Sequence, residues 1–364
     1  MKKKLTLVML VTAGALMTGM TSCKKEGCTD AAATNYDEDA KKDDGSCITE
    51  VEGNEVKVTG NITSNTTWTK DKVYILTTRV AVTSGATLTI EAGTVIKGDA
   101  GTGANATALV IAKDAKLMAK GTAAEPIIFT SVADKIVSGQ IASPNLSPDL
   151  DVSDPNGLYG GTNNADNAGV IEYISIRHGG ANIGEGNEIN GLTLGGVGSG
   201  TTINHVEIIA NQDDGIEWFG GSVSVNNAVV WNAGDDAIDT DQSWSGTLDN
   251  FIVINAGDEC FELDGPEGAM EAKHTIKNGS VYADGADGLV DLDDNSWVDM
   301  SNIYFFGVSA GQDFDQIPTV YACAFAAFQA TLPDADVTAF FKDGADAFVT
   351  TVAEGANTVG ADKS

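Results

Sequence analysis

The sequence predicts an all-β solenoid of stacked coils rather than a closed globular domain. The first observation is an acidic phrase that occurs four times, with an apolar residue three positions after its opening Asp and an acid four positions after it. The copies begin, at intervals of 22, 23 and 29 residues, at Asp213, Asp235, Asp258 and Asp287. Such intervals are typical of proteins in which each repeat contacts only its neighbours. The second observation is an upstream series of β-rich runs separated by Gly or Asp turns.

Within each copy the apolar residue and the acid are adjacent, so in a strand they point to opposite faces. The apolar residues, which we expect to face the core, are Ile216, Ile238, Phe261 and Val290. The acids, which we call the carboxylate column and expect on the outer surface, are Glu217, Asp239, Glu262 and Asp291. A second column, two positions further along the same face, comprises Asp241, Asp264 and Asp293.

These two columns predict a binding site for cations. Parallel strands lie about 4.8 Å apart, and two unit charges at that distance repel by about 3 kcal/mol at an effective dielectric constant of 20. Several hard oxygen ligands are what Ca²⁺ prefers, so we predict that the seven acids bind Ca²⁺. The alternative is that the acids are solvated and only keep the protein soluble. The sequence has neither an EF-hand loop nor the glycine-rich nonapeptide repeat, so the prediction depends on the density and stacking of the acids.

The N-terminus predicts export. Residues 2–4 are lysines, and residues 5–20 form an apolar segment that is too short for a membrane-spanning helix. The run ends Met-Thr-Ser-Cys23, which resembles a bacterial lipoprotein cleavage box. This resemblance implies that residues 1–22 are a signal peptide and that a lipid on Cys23 anchors the protein to the outer membrane or cell surface of a Gram-negative bacterium. Simple secretion is the alternative.

Residues 23–55 are predicted to form a short spacer module. The motif Cys-Thr-Asp begins at Cys28, and the motif Asp-Asp-Gly-Ser-Cys ends at Cys47. Together these two motifs resemble modules found between domains of exported bacterial surface proteins. The resemblance implies a Cys28–Cys47 disulfide, which would stabilise so short a loop by about 3 kcal/mol. Cys260 and Cys323 could be free or paired.

The main domain is predicted over residues 56–312. Two upstream segments, Gly-Ala-Thr-Leu-Thr-Ile-Glu-Ala-Gly-Thr-Val-Ile-Lys-Gly at 85–98 and Gly-Thr-Ala-Ala-Glu-Pro-Ile-Ile-Phe-Thr-Ser at 121–131, resemble the opening coils of exported right-handed parallel β-helix proteins of the pectate-lyase-like type. With the acidic repeat, the resemblance covers most of the domain. It implies fold and location, whereas the activity of such proteins is uncharacterised.

Three further features complete the predicted architecture. Residues 133–169 are rich in Pro, Ser, Asn and Gly, and we expect a long loop inserted between coils. A column of amides is expected to stack at one inward corner, with His205 as a structural member; its asparagines are Asn227, Asn250 and Asn278. Residues 313–364 are predicted to cap the solenoid, with a short helix from Asp334 to Phe341.

Charge limits the partners. The chain has 52 acids, 21 basic residues and a formal net charge of −31, which repels nucleic acid and bare anionic polymers. Cations, neutral glycans and anions bridged by cations remain as partners. Two near-copies, Asp-Gln-Ser-Trp244 and Asp-Asn-Ser-Trp297, place indoles beside the acids. Such indoles can stack on sugar rings, so we expect a carbohydrate site at Trp244 and Trp297. The alternative is that both rings pack over turns.

These observations favour a non-enzymatic cell-surface lipoprotein of the binding or adhesion type. A structural surface module without a ligand is one alternative, and a polysaccharide lyase or glycoside hydrolase is another. Gly234-Asp235-Asp236 resembles the paired-Asp motif of polygalacturonase-type hydrolases, but the upstream Asn-Thr-Asp and the downstream Gly-His-Gly of that pattern are missing. A lyase would need calcium and a base, for which Lys273 and Lys277 are the candidates. We therefore predict no catalytic residues.

Overall fold

The protein consists of two units, Met1–Val51 and Glu52–Ser364. The computed structural model describes residues 25, 27, 29, 38–42, 54–134, 156–181, 183, 189–334, 337–341 and 344–362.

In the first unit, the described residues form a small backbone contact. The Lys41 amide donates to the Lys25 carbonyl oxygen at 2.8 Å, and the Lys25 ammonium lies 3.6 Å from the Asp39 carboxylate. Cys23, Cys28 and Cys47 lie outside the described residues. Lipidation at Cys23 and the disulfide between the other two therefore stay predictions.

The second unit is a parallel β-helix, as the sequence predicts. Every strand pair among its described residues is parallel. The strands are β1 Glu55–Val58, β2 Thr66–Trp68, β3 Val73–Leu76, β4 Arg79–Val82, β5 Thr87–Ile90, β6 Val95–Gly98, β7 Ala108–Ile111, β8 Lys116–Lys120, β9 Ile127–Ser131, β10 Gly169–Arg177, β11 Leu192–Gly195, β12 Thr202–Ile209, β13 Ile216–Phe219, β14 Val225–Trp231, β15 Ile238–Asp241, β16 Thr247–Ile254, β17 Glu262–Leu263, β18 His274–Tyr282, β19 Asp291–Leu292, β20 Val298–Phe306, β21 Ala324–Ala330 and β22 Val349–Thr351. The right-handed coil stays a prediction, supported by the general preference for right-handed crossovers.

A complete coil has three faces. The first face carries the short strands β11, β13, β15, β17 and β19, which form one sheet, and β4 and β7, which form another. The second and third faces belong to one large sheet. In the early coils they use separate strands, such as β8 and β9, and both of these pair with the single long strand β10. From β10 onward each long strand therefore covers two faces and bends between them.

In the described part of the chain the first face consists of two separate sheets. Among the described residues no strand joins these two sheets, and residues 156–168, which lie between β9 and β10 in the sequence, form irregular backbone. These residues belong to the loop predicted from its Pro, Asn and Gly content.

The predicted alternation within the acidic repeat is confirmed. The four apolar positions are buried, with exposed fractions of 0% to 1%; they are Ile216, Ile238, Phe261 and Val290. Two positions further along the strands, a second inward row has Leu194, Trp218, Thr240 and Leu263 in register. Both rows join one continuous apolar core that runs from the first coils to β22.

The bend between the second and third faces is made by a column of residues in the left-handed backbone region. Asn227, Asn250 and Asn278 have φ of 56°, 60° and 60°, a conformation that Asn tolerates better than most residues. The Asn250 amide donates to Asn227 at 2.5 Å, and the Asn227 amide donates to Asn204 at 2.7 Å. The stacked amides are confirmed for Asn227 and Asn250, whereas the Asn278 amide donates to the Asp249 carboxylate at 2.6 Å. These residues are half-buried at the corner rather than inward, and the backbone N–H of Asp362 donates to the Asn250 side-chain oxygen at 2.7 Å.

The C-terminal segment closes the solenoid with strands rather than with the predicted helix. β21 and β22 continue the large sheet beyond β20. The described residues of this segment contain two single 3₁₀ turns, Val337–Ala339 and Ala345–Ala347, and no α-helix. A strand gives the last core rows a hydrogen-bonded neighbour, which one short helix could not do. No helix in the described part of the chain is long and apolar enough to cross a membrane.

We predict that Asn250→Ala lowers the free energy of unfolding by about 2–3 kcal/mol. It removes a stacked amide with two side-chain hydrogen bonds, each worth about 1 kcal/mol, and places Ala in the left-handed region. Asn232→Ala is the matched control, because Asn232 has φ 55° but an exposed side chain outside the amide stack. Urea unfolding should show a loss of about 1 kcal/mol or less for the control. Equal losses would mean that the amide stack contributes nothing.

Candidate functional site

The carboxylate column exists as a row along the first face. Glu217 pairs in register with Asp239, Asp239 with Glu262, and Glu262 with Asp291. Thr193 of β11 pairs with Glu217 and so stands at the head of the row. Four acids on successive coils therefore lie one strand spacing apart, about 4.8 Å.

The row is less exposed than the sequence predicts. Glu217 and Asp239 retain only 7% and 8% of their accessible surface, whereas Glu262 and Asp291 are half-buried. Asn190 explains part of this difference, because its side-chain amide donates a hydrogen bond to the Glu217 carboxylate. The column thus points away from the apolar core, as predicted, but its first two acids are covered and only the later ones face solvent.

A further row of acids, which the sequence analysis missed, lies beside the buried end of the column. Asp214 and Asp236, exposed by 8% and 4%, are the second acids of their copies of the repeat. The Asp214 carboxylate accepts from the Asp236 backbone N–H at 3.1 Å, and the Asp236 carboxylate accepts from the Glu259 N–H at 2.7 Å. The doubled acid at the start of the first three copies was the available signal for this row.

Three buried acids meet where the two rows are closest. Asp214, Glu217 and Asp239 each offer a carboxylate oxygen, and these oxygens lie within 4.8 Å of one another. A second group with the same spacing consists of Asp213, Asp214 and Asp235. Of the seven predicted ligands, Glu217 and Asp239 therefore belong to a group that could hold one ion. The other five, which no group of this spacing includes in the described part of the chain, are Asp241, Glu262, Asp264, Asp291 and Asp293.

Burial and mutual repulsion raise the pKa values of the buried acids in both rows. Burial, followed by the charge of Asp239, raises the pKa of Asp214 to about 9. Burial, followed by the charge of Asp214, raises the pKa of Glu217 to about 9 and that of Asp236 to about 10. Burial and the charge of Glu217 raise the pKa of Asp239 well above its usual range. In the absence of a cation the group therefore retains protons at neutral pH, and a bound cation would displace them.

No basic side chain relieves this repulsion within the described residues. The ion pairs of the second unit join other acids to Lys70, Lys120, Arg177, Lys273 and Lys277. The two candidate lyase bases are among them. Lys273 lies 2.8 Å from the Asp299 carboxylate and Lys277 lies 3.2 Å from that of Asp249. Lys277 belongs to β18 of the large sheet, so it is separated from the first-face acids.

The second predicted column is more open. Asp241 and Asp264 are half-buried and Asp293 is exposed. Burial, followed by the charge of Asp293, raises the pKa of Asp264 to about 7. These acids therefore form a partly hydrated edge next to the carboxylate column.

The carbohydrate prediction for Trp244 is wrong. Trp244 is 1% exposed, its indole N–H donates to the Val223 carbonyl at 2.8 Å, and its ring stacks on Trp218 at a centroid distance of 4.5 Å. The residue follows a corner after β15 and turns back into the core, which its spacing from the acids could not show. Trp297 is half-buried and stacks on Tyr321 at 4.5 Å and 8°, so one face of its indole is already covered.

A cavity of about 750 Å³ lies between residues 156–168 of the inserted loop and β11. Its floor includes core residues such as Leu192 and Leu194, and its rim includes Tyr159, Gln242 and Met270. The Gln242 side chain donates to the Tyr159 hydroxyl at 2.9 Å. Because Gln242 directly follows Asp241, the cavity opens beside the acidic face.

We predict that stability falls as pH rises when no divalent cation is present. The folded pKa of Asp236, about 10, exceeds that of an ordinary carboxyl, about 4, so the folded chain binds more protons between these values. Stability present below about pH 4 is therefore lost progressively as pH rises towards 10. In a chelator, the melting temperature should fall between about pH 5 and about pH 9, and Asp236→Asn should reduce that slope. Glu354→Gln, at an exposed acid, should leave the slope unchanged; a flat wild-type profile would contradict the prediction.

Comparison with known proteins agrees with this architecture. Residues 60–351 match the family described as pectate-lyase like beta helix domain. No match to this chain was found among curated proteins or solved structures. The matched segment covers most of the chain and extends from the first coils to β22. The chain belongs to the pectate-lyase-like β-helix family.

Proposed function

We propose that this protein is a non-enzymatic binding module of the cell surface whose acidic face binds Ca²⁺. The observation that carries the proposal is the in-register row of Glu217, Asp239, Glu262 and Asp291, which has no basic partner in the described part of the chain. Stacked carboxylates need either protons or cations between them. Ca²⁺ accepts many oxygen ligands in irregular geometry, which suits a row of carboxylates better than Mg²⁺ does.

The proposed location depends on the N-terminal sequence. A basic start, an apolar segment and Cys23 together support lipid anchoring to the outer membrane or cell surface. A single lipid-bearing terminus leaves the β-helix outside the hydrocarbon layer. An extracellular setting also supplies millimolar calcium, a concentration that even a weak site can use.

We further propose that the acidic face binds an extracellular glycan at the cavity beside Asp241. The cavity combines an aromatic ring, polar side chains and an apolar floor, which is the composition of small-molecule sites. Tyr159 is 43% exposed, and its ring lies beside Phe219 at a centroid distance of 5.9 Å, so the exposed part of the ring can contact a sugar. Calcium held by the half-buried acids would add a bridge to anionic sugars. Trp297, with one indole face covered, is a secondary contact.

Polysaccharide lyase activity is the second candidate function, and the match to a pectate-lyase-like family supports it. Against it, the two lysines that could act as base are ion-paired to Asp249 and Asp299. Reducing-sugar and unsaturated-uronate assays with calcium present would detect such an activity. We expect neither product.

Calorimetric titration of the purified protein with Ca²⁺ tests the proposed function. We expect binding in the micromolar range and, at a hundredfold excess of Ca²⁺ over Kd, a stabilisation of about 2.7 kcal/mol. The variant Glu262→Gln/Asp291→Asn should lose part of the bound calcium, because it removes the half-buried acids of the column. The control Asp346→Asn/Glu354→Gln removes two exposed charges elsewhere and should bind as the wild type does. Absence of heat together with an unchanged melting curve would overturn the proposal.

A glycan array in calcium tests the carbohydrate part. We predict that Tyr159→Ala weakens binding by about fivefold, since one aromatic stacking contact is worth about 1 kcal/mol. Trp231→Ala is the control, because Trp231 is 41% exposed but belongs to the third face, away from the cavity. Equal effects of the two substitutions would show that the cavity is not the glycan site.

A further inference from the structure

We propose that the buried end of the carboxylate column is a separate, closed Ca²⁺ site formed by Asp214, Glu217, Asp239 and the side-chain amide oxygen of Asn190. This inference rests on the calcium affinity proposed above and divides the acidic face in two. One part is this closed site, and the other is the half-buried row that continues through Glu262 and Asp291.

The geometry of the carboxylates fits a single ion. Ca²⁺ binds oxygens at about 2.4 Å, so two ligands of one ion cannot lie more than about 4.8 Å apart. The oxygens of Asp214, Glu217 and Asp239 satisfy this limit, since they lie within 4.8 Å of one another. All three side chains are buried, so an ion held by them would exchange most of its water for protein oxygens.

Asn190 gives independent support for a ligand at this place. Its side chain is 4% exposed, its amide nitrogen contacts the Glu217 carboxylate, and its amide oxygen is buried without a hydrogen-bond partner. A buried carbonyl oxygen without a partner costs about 1–3 kcal/mol. Amide oxygens are common Ca²⁺ ligands, so an ion beside Glu217 would remove this cost.

Two more buried oxygens without a partner belong to residues that contact or pair with members of the group. Asn211 is 3% exposed, and its amide nitrogen donates to the Asp214 carbonyl at 2.7 Å while its oxygen has no partner. The hydroxyl of Thr193, in register with Glu217, is also buried without one. Three carboxylates and several neutral oxygens approach the six to eight oxygen ligands that Ca²⁺ takes. Mg²⁺, which retains water and requires octahedral geometry, fits a closed site of this kind poorly.

The site would fasten one segment to the solenoid. Asn190 lies two positions before β11, and its neighbour Ile189 packs on Ala106 and Ala181. The Gly191 amide donates to the Asp214 carbonyl at 2.9 Å. An ion shared by Asn190 and Asp214 would strengthen the same junction, so its role is to hold the start of the first-face sheet in place rather than to present calcium to a partner.

Terbium luminescence tests the closed site in the full chain, because Tb³⁺ replaces Ca²⁺ at oxygen sites and is excited by nearby indoles. Trp218 directly follows Glu217 and stacks on Trp244 at 4.5 Å. We expect one equivalent of indole-sensitised Tb³⁺ that Ca²⁺ displaces and Mg²⁺ does not. Asn190→Ala should weaken this equivalent at least tenfold, whereas Asn190→Asp, which retains an oxygen, should preserve it. Asn105→Ala, at an exposed amide, is the control.

A variant of the half-buried row distinguishes the closed site from calcium binding by the rest of the acidic face. In Glu262→Gln/Asp291→Asn the sensitised equivalent should remain. If that variant loses all calcium and Asn190→Ala loses none, the column binds calcium but the closed site does not exist. If no variant and no wild-type protein binds Ca²⁺ or Tb³⁺, both proposals are wrong. Melting curves in chelator establish that each variant is folded before titration.

Discussion

In-register stacking of parallel coils is the constraint on which the rest of this structure depends. Each side chain meets its counterpart on the next coil about 4.8 Å away, whatever the chemistry of the pair. An amide can donate and accept at once, so the row through Asn250, Asn227 and Asn204 forms consecutive hydrogen bonds. An ionised carboxylate can only accept. The same geometry that stabilises the corner therefore destabilises the acidic row unless protons or cations lie between its members.

Stacking also decides which parts of the fold the sequence could predict. The inward row of Ile216 and Ile238 and the outward row of Glu217 and Asp239 follow from the repeat and from the alternation of a strand. The bend was predictable as a column of amides, but its half-buried position depends on the tail around Asp362, which carries no repeat.

The parts of the fold that the sequence could not predict involve residues that do not belong to the repeat. Trp244 follows a corner, and the direction in which a chain leaves a corner depends on φ at one residue, here 59° at Gln242. The burial of Glu217 depends on Asn190, which lies outside the acidic copies. The last interval of the repeat is longer than the others because the chain after β17 forms an additional loop, and residues of this loop such as Met270 line the cavity.

Each acidic row has two different ends, and this difference explains how one end can be buried. Asn190 precedes β11 by two positions, as Asp214 precedes β13 and Asp236 precedes β15. Thr193 occupies the corresponding place ahead of Glu217 in the carboxylate column. At the buried end, therefore, both rows terminate in a neutral side chain that bears an oxygen. Neutral ends reduce the number of like charges that burial must accommodate, while the oxygens remain available to a cation. Further along, where acids meet acids on every coil, the row stays partly open to water, because solvent is the only other way to screen charges at this spacing.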